Sequence, residues 1–171
     1  MRSRIAHLSK SKAVLATLVA VIVLSLGTAF FVAGEFALVA SDRTRVEQLA
    51  DEGHRGAIGT LAGLRTLSFQ LSGAQLGITI TSLVVGFIAE PTIGRALEPL
   101  VEDLGFVSER SSLAVSVALA LFLATAFEMV VAELIPKNLA ISRPEGIAFA
   151  IATTLHISVG EQVPKMLAIT R

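Results

Sequence analysis

The stretch VVAELIPKNLAISRP, residues 130 to 144, closes a long apolar run with an acid, a helix breaker and a base: Glu133, Pro136 and Lys137. Each of the three is costly in hydrocarbon. Pro136 has no N–H, and its ring crowds the carbonyl of Ala132, so a helix here has to release that oxygen close to Glu133. One carboxylate, freed carbonyls and nearby hydroxyls make an all-oxygen set, which suits a hard cation such as Mg²⁺, Ca²⁺ or Na⁺. A purely structural reading of the same residues also exists. In it Glu133 and Lys137, four apart, form an ion pair at an interface, Pro136 ends the helix, and the Lys137 amine snorkels to lipid phosphate.

The rest of the chain favours a membrane setting. Of 171 residues 53% are hydrophobic and only 16% are charged, and the mean hydropathy of +0.75 lies outside the balance of a soluble domain. The 14 basic and 14 acidic residues cancel, so charge points to no nucleic-acid partner. Cysteine is absent, which excludes a disulfide framework and a thiolate site. Trp and Tyr are absent as well, leaving Phe30, Phe31 and Phe36 as candidates for the interface. His7, His54 and His156 lie in separate segments, and the chain carries no H-E-x-x-H, G-x-S-x-G or Walker sequence, so no enzyme is expected.

Three spans are predicted. After the basic arm of residues 1 to 12, residues 13 to 34 carry no charge and are long enough to cross a bilayer at ~1.5 Å per residue. Residues 66 to 89 are uncharged but rich in Gly, Ser, Thr and Gln, as suits a helix inside a membrane bundle. Residues 111 to 136 form the third span, with Glu128 and Glu133 near its end. Between the spans, residues 41 to 65 read as interfacial helices and residues 90 to 110 as an acidic connection. The run Gly146 to Gly160 is too short to span a ~30 Å core and reads as an interfacial or re-entrant helix. The sequence ELIPKNLAI (133 to 141) recurs as EQVPKMLAI (161 to 169), a partial repeat that reads as a local duplication. Arg43, Arg45, Arg55 and Arg65 place loop 41 to 65 in the cytoplasm, against the pull of Arg2, Arg4, Lys10 and Lys12.

Polar residues inside the spans fall in stripes. Ser25, Thr28, Val32 and Glu35 share one face of the first span, and Ser72, Gln75, Thr79 and Ser82 share one face of the second. Hydroxyls and amides of this kind commonly hold helices together, whereas an ionisable group at depth faces a partner or a watery cavity. Gly73 and Gly77 form a small-xxx-small pair suited to helix packing or a dimer. Glu128 precedes Glu133 by five residues, ~140° around an α-helix at ~100° per residue. The two acids are therefore expected to face apart, with Glu128 meeting water or another subunit.

Three ordered segments, FFVAGEFALVASDRTRVEQLADEGHRGA (30 to 57), LSGAQLGITITSLVVGFIAEP (71 to 91) and VVAELIPKNLAISRPE (130 to 145), resemble the transmembrane domain of the CorC/cyclin M family of magnesium transporters, some members of which carry a hemolysin label. The resemblance covers roughly residues 20 to 147. It implies an all-α integral membrane fold of three transmembrane helices plus interfacial juxtamembrane helices, occupying residues 13 to 142. It also implies a multi-pass homodimer of the plasma (inner) membrane that moves Mg²⁺ outward in exchange for Na⁺. The ion site it implies draws on the positions of Val32, Ser72 and Glu133, with Gln75, Thr79 and Asn138 close by, and the polar stripe of the first span adds Ser25 and Glu35 as candidates. Val32 stands where the family usually has Ser, and Ala132 where it usually has Gly. Residues 143 to 171 then form a juxtamembrane segment bearing the partial repeat, without the nucleotide-binding domains that usually follow. The alternative is a non-transporting membrane adaptor, or a truncated paralogue that pairs with a full-length relative.

Overall fold

The computed structural model describes residues 2–103 and 108–155, and among them every regular element is helical. In chain order these are α1 (Arg2–Ala40), α2 (Arg43–Asp51), α3 (Arg55–Arg65), α4 (Leu67–Glu102), α5 (Glu109–Phe127), a π-helical segment (Glu128–Leu134), α6 (Ile135–Ser142) and α7 (Pro144–Leu155). Three stretches are long and apolar enough to cross a membrane: Val14–Ala40, Leu67–Glu102 and Ser111–Ser142. The all-α, three-span architecture expected from the sequence is present. Helix α7, with 12 residues, extends ~18 Å and is too short to span. The second motif copy, from Glu161, lies outside the described residues.

One expectation is corrected. Residues 90 to 110 do not begin as a connection, because α4 runs on through Pro91 and Pro99 to Glu102. A proline inside a helix removes one donor and frees the carbonyl four residues earlier, yet the helix continues where packing against a neighbour compensates. Here that neighbour is α5. A Cβ on Gly94 would stand 2.8 Å from Val117 Cγ2 and 3.1 Å from Val117 Cα, so the two backbones are nearly in contact. Ser112, Ser116 and Ala120, spaced i, i+4 and i+8, form a fully buried small-residue face of α5. The Ser112 hydroxyl donates to Glu102 Oε1 at 3.1 Å.

The chain forms two compact units. The first comprises Met1–Ala29 and Gly77–Leu134. Its core is Val21, Val85 and Ala89, with Leu24, Ile88, Ile93 and Ala124 packed around them. The second comprises Phe30–Leu76 and Ile135–Arg171, and its core is Ala37, Ala140 and Ala148 with Ala33, Phe36, Ile147 and Phe149. The buried centre of the second core is alanine alone, Ala37, Ala140 and Ala148, so its helices approach closely in place of filling a wide interior.

In the second unit the charged loop is a helical hairpin. Asp42 caps α2 by accepting from the Thr44 and Arg45 N–H groups, which satisfies donors that a helix start leaves open. Gly53, with φ of 85°, reverses the chain where only glycine is unstrained. His54 then caps α3 by accepting from the Ala57 N–H through Nδ1. Helix α3 lies against α7 through glycine: a Cβ on Gly56 would stand 2.6 Å from Phe149 Cβ, and one on Gly59 would stand 3.0 Å from Ala152 Cβ.

The close approach of α4 and α5 has a direct test. Gly94→Ala adds a methyl where Val117 already stands, and overpacking of this kind costs ~1–3 kcal/mol. Gly86 has nothing within 4 Å of its built Cβ, so Gly86→Ala gains only the helix propensity of Ala, ~1 kcal/mol. Thermal unfolding in detergent is expected to show Gly94→Ala melting below wild type and Gly86→Ala at or above it. Equal melting temperatures for the two variants would show that α4 and α5 are not in close contact at this level.

Candidate functional site

In the first unit α5 passes into the π-helical segment without a break. The segment spans seven residues, Glu128 to Leu134, and Pro136 follows two residues later. In an apolar span, local π adjustments allow backbone groups freed by a proline to find partners. The change of helix type also moves the acids. A π-helix closes i→i+5 hydrogen bonds and turns only ~80° per residue, so residues five apart fall within roughly 40–50° of each other. Glu128 and Glu133 therefore share a face, which corrects the expectation that they point apart.

Both acids line one cavity of 360 Å³, together with Ser82 and Gly86 of α4 and Thr125 of α5. The two carboxylates are held differently. Glu128 Oε1 is hydrogen-bonded to the hydroxyl of Ser25 on α1, a residue only 2% exposed. That hydroxyl is shared with the Val21 carbonyl at 2.8 Å. Glu128 Oε2 is buried without a hydrogen-bond partner among the described residues. Glu133, by contrast, is exposed. One acid is thus anchored and the other stands at the open side of the cavity wall.

One turn along α1, Thr28 is fully buried, and its hydroxyl lies 2.7 Å from that of Thr81 on α4. One of the two hydroxyls donates to the other; the second is free to donate within its own helix, from Thr28 to the Leu24 carbonyl at 3.2 Å or from Thr81 to the Gly77 carbonyl at 2.8 Å. These hydroxyls join α1 to α4, the interhelical role such residues commonly have. Ser25 extends the same row, but its partner is a carboxylate.

Of the residues singled out in the sequence, the first unit holds Ser25, Thr79 and Glu133, and Thr79 is exposed on α4. Glu35, Ser72, Gln75 and Asn138 belong to the second unit, and none of them lines this cavity. Val32, 4% exposed, is buried in the second unit. Lys137 lies over the ring of Phe36, 4.6 Å from its centroid, a cation–π contact that gives the amine a partner other than Glu133. Sequence reasoning missed Glu128 and Thr125. The signal was present as two acids five apart just before a proline in an apolar run, but it becomes legible only if the helix there is read as π.

Among the described residues no three His, Cys, Asp or Glu side chains come together. The cavity therefore offers two carboxylates and two hydroxyls, an all-oxygen set with room for water. Such a set suits a hard cation that keeps part of its hydration shell.

Comparison with known proteins identifies the family of this membrane domain. The family model described as Cyclin M transmembrane N-terminal domain matches residues 18–152. The chain is similar to the UPF0053 protein YhdT of Bacillus subtilis, 47% identical over 118 residues that cover 69% of this chain and 25% of that protein. It is also similar to the UPF0053 protein MT1890 of Mycobacterium tuberculosis, 42% identical over 129 residues that cover 75% of this chain and 28% of that protein. The chain thus spans about a quarter of the length of the curated relatives it matches.

The anchoring of Glu128 is testable on its own. Ser25→Ala removes a donor to a carboxylate, and a hydrogen bond to a charged group is worth ~1.5–3 kcal/mol. The expected loss in thermal unfolding is of that size, and it shrinks when Ser25→Ala is made in a Glu128→Leu background. A loss that is the same in both backgrounds would mean that Ser25 acts through packing alone.

Proposed function

Since the chain belongs to the cyclin M transmembrane-domain family, we propose that it is the membrane part of a divalent-cation transporter and that Mg²⁺ is carried through the cavity beneath the π-helical segment. The observation that carries this reading is the placement of Glu128 and Glu133 on one face of that cavity. Two carboxylates so placed repel each other, and a divalent cation between them replaces repulsion with attraction. Mg²⁺ sheds water reluctantly and is commonly held by one or two carboxylates plus retained waters. At ~30 Å³ per water the 360 Å³ cavity has space for an ion with several of its waters.

The two acids divide the work. Glu128, fixed by Ser25, provides a constant negative charge inside the wall, and Glu133, on the open side, engages and releases the ion. Ser82 and Thr125 supply neutral oxygens that orient the retained waters. Alternating access moves the ion from one face of the membrane to the other, with Na⁺, which also accepts oxygen ligands, as the exchanged ion. In this reading loop 41–65 and its arginines lie in the cytoplasm of a plasma-membrane protein, and the direction is efflux, driven by the entry of the exchanged Na⁺. The working unit is a homodimer, for which Ser72 and Gly73 on the exposed side of α4 provide a small-residue contact surface; Gly73 has nothing within 4 Å of a built Cβ.

Thermal unfolding of the purified chain against MgCl₂, with ionic strength held constant by KCl, tests the site. A ligand at 100 times its Kd stabilises by ~2.7 kcal/mol, so a rise in melting temperature is expected for wild type. Glu133→Gln and Glu128→Gln should each abolish most of it, whereas Glu35→Gln should retain it. Retention of the full shift by both first-unit variants would sink the cavity as the ion site. Mg²⁺ flux from proteoliposomes then separates transport from mere binding, and binding without flux would favour a membrane adaptor.

A further inference from the structure

The second unit contains a larger cavity, of 480 Å³, formed between the end of α1, α3, the start of α4 and α7. Its residues all belong to that unit, and none is shared with the cation cavity. The volume lies within the ~300–1,000 Å³ usual for small-molecule sites. Its wall is mostly small and apolar, built from glycines, alanines, Leu38 and Ile151. The polarity is confined to a few positions. Thr66 and Gln70 are exposed at the junction of α3 and α4, where the Gln70 amide donates to the Thr66 hydroxyl at 3.4 Å. In the wall Thr60, 1% exposed, has a hydroxyl with no hydrogen-bond partner among the described residues.

These features describe an amphiphile. A buried hydroxyl without a partner is unfavourable by the cost of its desolvation, and an acceptor brought into the cavity removes that cost. An apolar wall with polar groups at one end takes a chain whose polar head stays at that end. Arg65, the last residue of α3, immediately precedes Thr66 and is exposed. Among the described residues the one ion pair is Arg43 with Glu47, so Arg65 has no carboxylate partner there. Just after it, from Leu67, begins a helix long and apolar enough to cross a membrane, and a basic residue flanking such a helix suits a lipid headgroup.

We propose that this cavity holds one acyl chain of an anionic glycerophospholipid, with its phosphate paired to Arg65 at the Thr66–Gln70 end and an ester carbonyl accepting from Thr60. The lipid fills space that the helices leave open, and it ties α3 and α7 to the start of α4. This site adds a lipid ligand to the transporter reading without depending on it.

The test compares dioleoyl phosphatidylglycerol with dioleoyl phosphatidylcholine, titrated onto the full chain after delipidation in detergent and read by native mass spectrometry and thermal shift. Wild type is expected to retain phosphatidylglycerol about fivefold better, the preference that one basic residue near a headgroup confers. Arg65→Gln should erase the preference and Arg65→Lys should keep most of it. Ala62→Phe, made at an exposed position on the rim, should lower retention of both lipids without lowering the lipid-free melting temperature. Thr60→Val should leave the lipid-free protein as stable as wild type or more so, and shrink the lipid-induced shift. The proposal is overturned if wild type retains no lipid, if Ala62→Phe retains as much as wild type, or if the two headgroups bind alike. It is also overturned if inorganic phosphate alone produces the same shift, since the ligand would then be the anion and the chain irrelevant.

Discussion

The demand that governs this chain is that backbone hydrogen bonds inside an apolar span have to be satisfied by the span itself. Pro136 withdraws one donor from the third span, and the chain answers with a π-helical segment just ahead of it. That local answer has a consequence for chemistry, because the altered turn angle brings together two acids that an α-helix would set apart. Had the segment stayed α-helical, Glu128 would face one direction and Glu133 another, and no two carboxylates would line one cavity. The feature that looks like damage to a helix is therefore the one that assembles the candidate site.

Close packing by small residues supplies the rest. Gly94 lets α4 approach Val117 of α5 closely, and Gly56 and Gly59 let α3 settle on α7. In lipid the apolar surface of a helix gains little by leaving its surroundings, so association rests on van der Waals contact and a few hydrogen bonds. Thr28 with Thr81 and Ser25 with Glu128 are bonds of that kind. The second of these differs in that one partner is a carboxylate, so it both joins α1 to the third span and fixes an acid of the candidate site.

Much of the fold was legible. Apolar runs at residues 13–34 and 111–136 locate two spans because length and apolarity alone decide them, whereas the reversal at Gly53 shows only in the backbone, where its φ is 85°. The extension of α4 to Glu102 was not legible, since Pro91, Pro99 and the surrounding acids read locally as a loop and only the contact with α5 overrides them. The site was half legible. Glu133 stands out as an acid at depth, and Ser25 as one hydroxyl in a stripe, but the bond between Ser25 and Glu128 joins residues 103 apart in sequence. No local pattern encodes such a pairing, and the assumption of 3.6 residues per turn removed Glu128 from view.

The asymmetry between the two acids bears on how a transporter releases what it binds. A divalent ion held by two rigid, buried carboxylates would leave slowly, because each would become an uncompensated charge on its departure. Here only Glu128 is anchored in the interior, where the Ser25 hydroxyl partly compensates its charge. Glu133 is exposed and returns to water or headgroups without that cost. On the proposed reading, the attraction that draws an ion in would come from both acids, while the penalty for letting it go would fall mainly on one that already has a hydrogen-bond donor. Such a division would keep binding favourable enough for entry and weak enough for exit, which any conducting site requires.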